Sequence, residues 1–180
     1  MANFKWLIIL SVLISVLALN CNRGNGNEGE NLNEAELKET LITTNKKFVE
    51  LENKRINSYI ARHNYSMGQS GTGLRYQLYG EGEGEKAVES DIVTIAFSVQ
   101  VLDGQPLVNA DTLQFKIGKS DVPPGLNEGV QQLQAGQKAR LILPAHLAYG
   151  LTGDGGNVPS NAALIYQIHL LKIEKNKAKK

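Results

Sequence analysis

The stretch Asp91 to Leu102, DIVTIAFSVQVL, alternates apolar and polar positions. Val93, Ile95, Phe97, Val99 and Val101 fall on one face and Thr94, Ser98 and Gln100 on the other, which predicts an antiparallel strand buried on one side. Asp103-Gly104 follows with the chemistry of a tight turn. Further strands are predicted at Leu74 to Tyr79, Leu113 to Ile117, Ala139 to Leu143 and Ala163 to Ile173. One helical stretch interrupts them, from Leu126 to Leu133, opened by Pro123-Pro124-Gly125 and closed at Gly136. Several strands around a single short helix predict an α+β fold.

Upstream the chain changes character. All five prolines and all but three of the 18 glycines lie from Gly68 onward. Residues 32–67 form a helical leader, because Leu37, Leu41, Phe48, Leu51, Ile56, Tyr59 and Ile60 recur at helical spacing with no Gly or Pro before Gly68. Asn33 with Glu36 predicts a capping box at its start. The stripe serves either to pack the helix on its own domain or to self-associate. The leader is expected to be dispensable for folding of the part that follows it. Residues 22–31, made of Asn, Gly, Glu and Arg23, are too polar to bury and read as a flexible tether.

Residues 1–21 read as an address. Lys5 precedes an apolar run from Trp6 to Leu19, too short to span a bilayer and right for a signal peptide. The single cysteine, Cys21, stands directly after the run and resembles the lipidation site of bacterial lipoproteins; an ordinary secretory signal with an incidental cysteine is the other reading. One cysteine leaves no internal disulfide. With 19 basic and 18 acidic residues, no nucleic acid partner is expected. The basic tail, residues 175–180, closes the chain.

Several chemistries are missing. Gly118-Lys119-Ser120 lacks the first glycine of a phosphate loop, since Leu113 stands where it belongs. The glycine-rich run Gly80 to Glu85 carries three carboxylates that would repel a pyrophosphate, and reads as a surface hairpin loop. His63, His146 and His169 have no ligand spacing, so neither a metal nor a cofactor is expected. No serine or cysteine is placed for covalent catalysis.

The residues from Gly73 to Glu174 carry a resemblance. Asp103-Gly104, Phe115-Lys116-Ile117-Gly118 and Val122-Pro123-Pro124-Gly125-Leu126-Asn127-Glu128-Gly129-Val130 precede Gly136-Gln137-Lys138-Ala139-Arg140-Leu141, Pro144, Ala148-Tyr149-Gly150, Val158-Pro159 and Ala163-Leu164-Ile165-Tyr166. In order and spacing this is similar to FKBP-type peptidyl-prolyl cis-trans isomerases, and the leader resembles that of their secreted bacterial members. The resemblance implies a curled antiparallel sheet of five or six strands around one short helix, occupying residues 68–174. It also implies a prolyl pocket with Tyr149, Phe97, Phe115 and Tyr166 in catalytic roles. Val122, Leu126, Val158, Leu113 and Pro123 would bind substrate, with the Val122 backbone N–H orienting it.

The same comparison implies departures. Phe97 replaces a usual tyrosine, Val108 an aspartate, Leu113 a phenylalanine and Leu126 a tryptophan, while Pro123 removes a backbone donor that family members use. The expected function is isomerisation of X-Pro bonds in proline-containing polypeptides bound for export, in a cell envelope, lipid-anchored to a membrane in the periplasm or at the outer membrane. The alternative is an FKBP-fold binding module of weak or no activity within an envelope assembly.

Overall fold

The computed structural model describes residues 33–176; Cys21, the apolar run before it, the tether and the last four residues of the basic tail lie outside them. The chain divides into two compact units, Met1–Thr43 and Thr44–Lys180. The described part of the first is the opening of helix α1, Glu34–Arg62. Asn33 Oδ1 accepts the Ala35 N–H at 3.4 Å, a cap that does not take the capping-box form.

In the second unit α1 ends earlier than the leader's composition predicts. Asn64 adopts φ 52, and its N–H donates to Ala61 O while the Tyr65 N–H donates to Ile60 O. These two bonds make a Schellman stop, for which asparagine is the usual substitute for glycine. Six antiparallel strands follow: β1 (Gly68–Gln69), β2 (Arg75–Tyr79), β3 (Ile92–Val101), β4 (Pro106–Lys116), β5 (Lys138–Leu143) and β6 (Leu164–Glu174). Their order in the sheet is β1-β2-β5-β6-β3-β4. The fold is therefore α+β with a six-stranded antiparallel sheet.

Residue alternation in β3 is as predicted. Val93, Ile95 and Val99 are buried in the main core, with Phe97 and Val101 packed against it. Asp103, at φ 58, and Gly104 turn the chain into β4. The glycine-rich run before β3 is not a hairpin. β2 pairs with β5 whereas β3 pairs with β4 and β6, so the run belongs to a crossover, tied down by a bridge from Glu83 to Ala135.

The short helix α2 spans Pro124–Val130, two to three residues earlier than predicted. Gly136 is not its cap; it lies in the turn before β5, its N–H donating to Leu170 O at 2.7 Å. Helix α2 lies against β5 because Gly125 and Gly129 have no side chains to hold it off. A Cβ on Gly125 would stand 2.6 Å from Leu143 Cγ.

The sheet is covered on both faces. Leu141, Leu143, Leu164 and Tyr166 join the main core, while their neighbours Ile142 and Ile165 point the other way, into a second core with Leu102, Ala163 and, from α1, Ile56 and Tyr59. Ile56 is fully buried. The second half of the leader is thus packed into the sheet's own unit, contrary to the expectation that it is dispensable, because the outward faces of β5 and β6 are apolar. Farther up α1, Leu37, Leu41, Phe48 and Leu51 are exposed. Among the described residues no helix is long and apolar enough to cross a membrane.

Candidate functional site

A cleft of about 270 Å³ opens on the main-core side of the sheet. β3 contributes Phe97 and Val99, β4 Leu107, Val108 and Leu113, and β6 Leu164 and Tyr166. The segment entering α2 contributes Asp121, Val122, Pro123 and Leu126, and the loop between β5 and β6 contributes Tyr149, Asp154, Asn157 and Val158. Eight of the nine cleft residues expected from sequence line it. The ninth, Phe115, is buried in the main core and does not.

Most of the wall is apolar, with Asp121, Asp154 and Asn157 as its charged or amide members. Leu126, on the buried face of α2, is 1 % exposed, and Tyr166 is 4 % exposed. The ring of Phe97 lies 6.2 Å from that of Tyr166, centroid to centroid, at 25°. Tyr149 is different, standing 38 % exposed. Burial pushes the Tyr166 hydroxyl well above the usual phenol range, and the adjoining Tyr149 hydroxyl, by its charge and its hydrogen bond, pushes the same way. The Tyr166 hydroxyl is therefore protonated at neutral pH.

Donors on the opposite wall are scarce. The Val122 N–H, expected to orient a substrate, already donates to Ser120 O at 2.9 Å. Pro123 has no N–H, and its carbonyl accepts from Leu126 and Asn127.

The turn that presents Tyr149 is tightly wound. After Pro144 the chain makes one 3-10 turn, Ala145–Leu147. The Ala145 carbonyl accepts both the Ala148 N–H at 3.0 Å and the Gly150 N–H at 2.8 Å, so Tyr149 sits between two amides fixed to one oxygen. The loop beyond closes on Asp154, whose Oδ1 accepts the Gly156 and Val158 N–H groups at 2.8 Å each. Those bonds, Val158's first, hold its carboxyl below the usual range. Gly153, at φ 72, brings its backbone so near the Val158 carbonyl that no Cβ fits. Asp154 and the cleft residues Val99, Leu107 and Leu164 had no named role in the sequence reading; Val99 was legible in the β3 alternation, and Asp154 was not.

Comparison with known proteins agrees with this arrangement. A family model described as FKBP-type peptidyl-prolyl cis-trans isomerase matches residues 83–171. A probable FKBP-type peptidyl-prolyl cis-trans isomerase, FkpA of Neisseria meningitidis, is 35% identical over 106 residues, which cover 57% of this chain and 38% of that protein. The outer membrane protein MIP of Legionella longbeachae is 34% identical over 110 residues, covering 58% and 46% respectively. The chain thus spans less than half the length of these curated relatives. The crystal structure of FkpA from Escherichia coli superposes with a TM-score of 0.60 at 26% identity, over 80% of this chain and 74% of that one. The matched family model, the relatives and the shared fold agree, and the chain belongs to the FKBP-type peptidyl-prolyl cis-trans isomerase family.

Proposed function

We propose that the cleft catalyses cis-trans isomerisation of X-Pro bonds in exported polypeptides. Rotating the amide crosses about 18–20 kcal/mol because resonance is lost. The twisted amide has a less polar carbonyl, so an apolar, water-poor cleft favours it over the planar ground state without acid, base or nucleophile. The prolyl ring enters between Phe97, Leu126, Val158 and Tyr166, with Leu113 and Val122 at the rim. Tyr149, the half-exposed neighbour of the buried Tyr166, donates its hydroxyl proton to a substrate carbonyl. The observation that carries this reading is the exposed Tyr149 beside the apolar side chains of Phe97, Val99, Leu113, Leu126 and Val158 in one cleft.

An exchange measurement of cis and trans prolyl peptides tests it. Catalysis above the thermal rate supports the reading. A second reading, a binding module with little turnover, is favoured by one feature: neither Val122 nor Pro123 offers the cleft a free N–H. Peptide binding without catalysis would establish that one.

The finer aspects of placement belong to the same proposal. Residues 1–21 act as a lipoprotein signal, Cys21 carries the lipid and residues 22–31 form the tether, so the domain works on a membrane surface of the cell envelope. The apolar run from Trp6 to Leu19, two residues before Cys21, and the outer-membrane name of one relative support this. Release of a Cys21→Ser form from the detergent phase is the expected result. Self-association runs along Leu37, Leu41, Phe48 and Leu51, whose exposure supports it. A Phe48→Glu change should then lower the mass measured by sedimentation.

A further inference from the structure

The Glu52 carboxylate of α1 reaches the turn that presents Tyr149 through one hydrogen bond. Its Oε1 accepts the Ala145 N–H at 2.7 Å. Ala145 is 7% exposed and is the residue whose carbonyl holds the amides on either side of Tyr149. The joint is buttressed beside it. Arg75, 4% exposed at the start of β2, donates to Asn53 Oδ1 at 3.1 Å and Asn57 Oδ1 at 3.4 Å on the same face of α1, and to Gly73 O. The His146 ring, one residue past Ala145, lies 2.9 Å from Thr72 O.

We infer that Glu52 is a positioning residue for the cleft: through the Ala145 amide it fixes the turn that aims Tyr149, and so sets how well a prolyl peptide is held and turned over. A lone acceptor for a backbone N–H inside a turn has no substitute among its neighbours. Without it the first amide of the turn must find water, and the turn loosens. The inference rests on the proposed isomerase reading for its activity readout, but its structural readout stands apart from that reading.

The test uses the full chain as wild type, Glu52→Ala, Glu52→Gln and Arg62→Ala. The last removes a different tie of α1, the ion pair from Arg62 to Asp103 in the turn between β3 and β4, far in the chain from the Ala145 turn. For each, kcat and KM on a prolyl peptide are measured, together with hydrogen exchange at the Ala148 and Gly150 amides. Glu52→Ala should melt cooperatively yet lose about tenfold in kcat/KM, with faster exchange at both amides. Glu52→Gln keeps an acceptor oxygen at the same reach and should stay within about twofold of wild type. Arg62→Ala should leave both readouts unchanged.

Wild-type kcat/KM and exchange in Glu52→Ala would overturn the inference, as would Glu52→Gln failing equally or Arg62→Ala failing like Glu52→Ala. If Glu52→Ala does not fold, Glu52→Asp takes its place, because its arm is one methylene too short. If wild type shows no turnover, the isomerase reading fails alone. Exchange at Ala148 and Gly150 then decides: faster in Glu52→Ala and normal in Glu52→Gln upholds the positioning role, and unchanged exchange ends it.

Discussion

The rings of Phe97 on β3 and Tyr166 on β6 lie 25° from parallel with centroids 6.2 Å apart, forming one side of the cleft. Only one of the two carries a hydroxyl, and that hydroxyl is buried against Tyr149. The cleft therefore meets a peptide with hydrocarbon on most sides and with the Tyr149 hydroxyl at its mouth.

Tyr149→Phe isolates that hydroxyl. The ring stays, so the melting temperature should hold, while kcat/KM or peptide affinity should fall by about 0.5–1.5 kcal/mol, about two- to twelvefold. Paired melting curves and peptide titrations check it, and unchanged affinity would remove Tyr149 from the mechanism.

Pro123→Ile addresses the poor wall. Pro123 holds φ −52 and ψ 137, a conformation open to isoleucine, so the replacement adds an N–H without asking the backbone to move. Peptide affinity should rise by about fivefold or more, the worth of one hydrogen bond in a partly buried site. Titration of wild type and variant with the same ligand reads this directly.

Truncation locates the folding unit. A chain beginning at residue 44 should keep its cooperative melt, since the second compact unit starts there. A chain beginning at residue 68 loses Ile56 and Tyr59 and bares Leu102, Ile142 and Ile165, and should melt broadly or aggregate. Within the longer chain, Ile56→Ala should cost about 2–5 kcal/mol by denaturant unfolding.

Acid should loosen the fold from its carboxylates. Burial alone would raise the Asp91 pKa, but the Val88 and Asn176 N–H groups and the Lys175 ammonium, at 3.0, 3.0 and 3.2 Å, together reverse this and hold it below 3.8. A depressed folded pKa gives stability that is complete above the unfolded value and lost as pH falls through the folded one. Melting temperature should therefore be flat near neutrality with respect to this group and decline below the ordinary carboxylate range. Asp91→Asn should melt lower at pH 7 and show a shallower acid limb.

The sequence made some of this legible because the signal was periodic. The β3 alternation placed Phe97 and Val99 on the core face, and the ordered motifs from Phe115 to Tyr166 brought Tyr149, Val122, Leu126 and Val158 to one cleft. Elsewhere tertiary pairing overrode local pattern. β4 begins at Pro106 rather than Leu113 because its exposed Asn109 to Thr112 segment is a strand only through its pairing with β3. Phe115 shares the spacing of Leu113 but sits deeper, in the core. The stop at Asn64 needed a left-handed asparagine, and the Asp154 cap needed a closed loop, neither of which leaves a hydrophobic period to read.

Ile165 and Tyr166 are neighbours on β6, yet one side chain belongs to the core under α1 and the other to the cleft. The same strand therefore has two independent clients. A polypeptide seated beside Tyr166 would lie on the face of the sheet opposite Ile56 and Tyr59, so filling the cleft leaves the packing of that part of α1 intact.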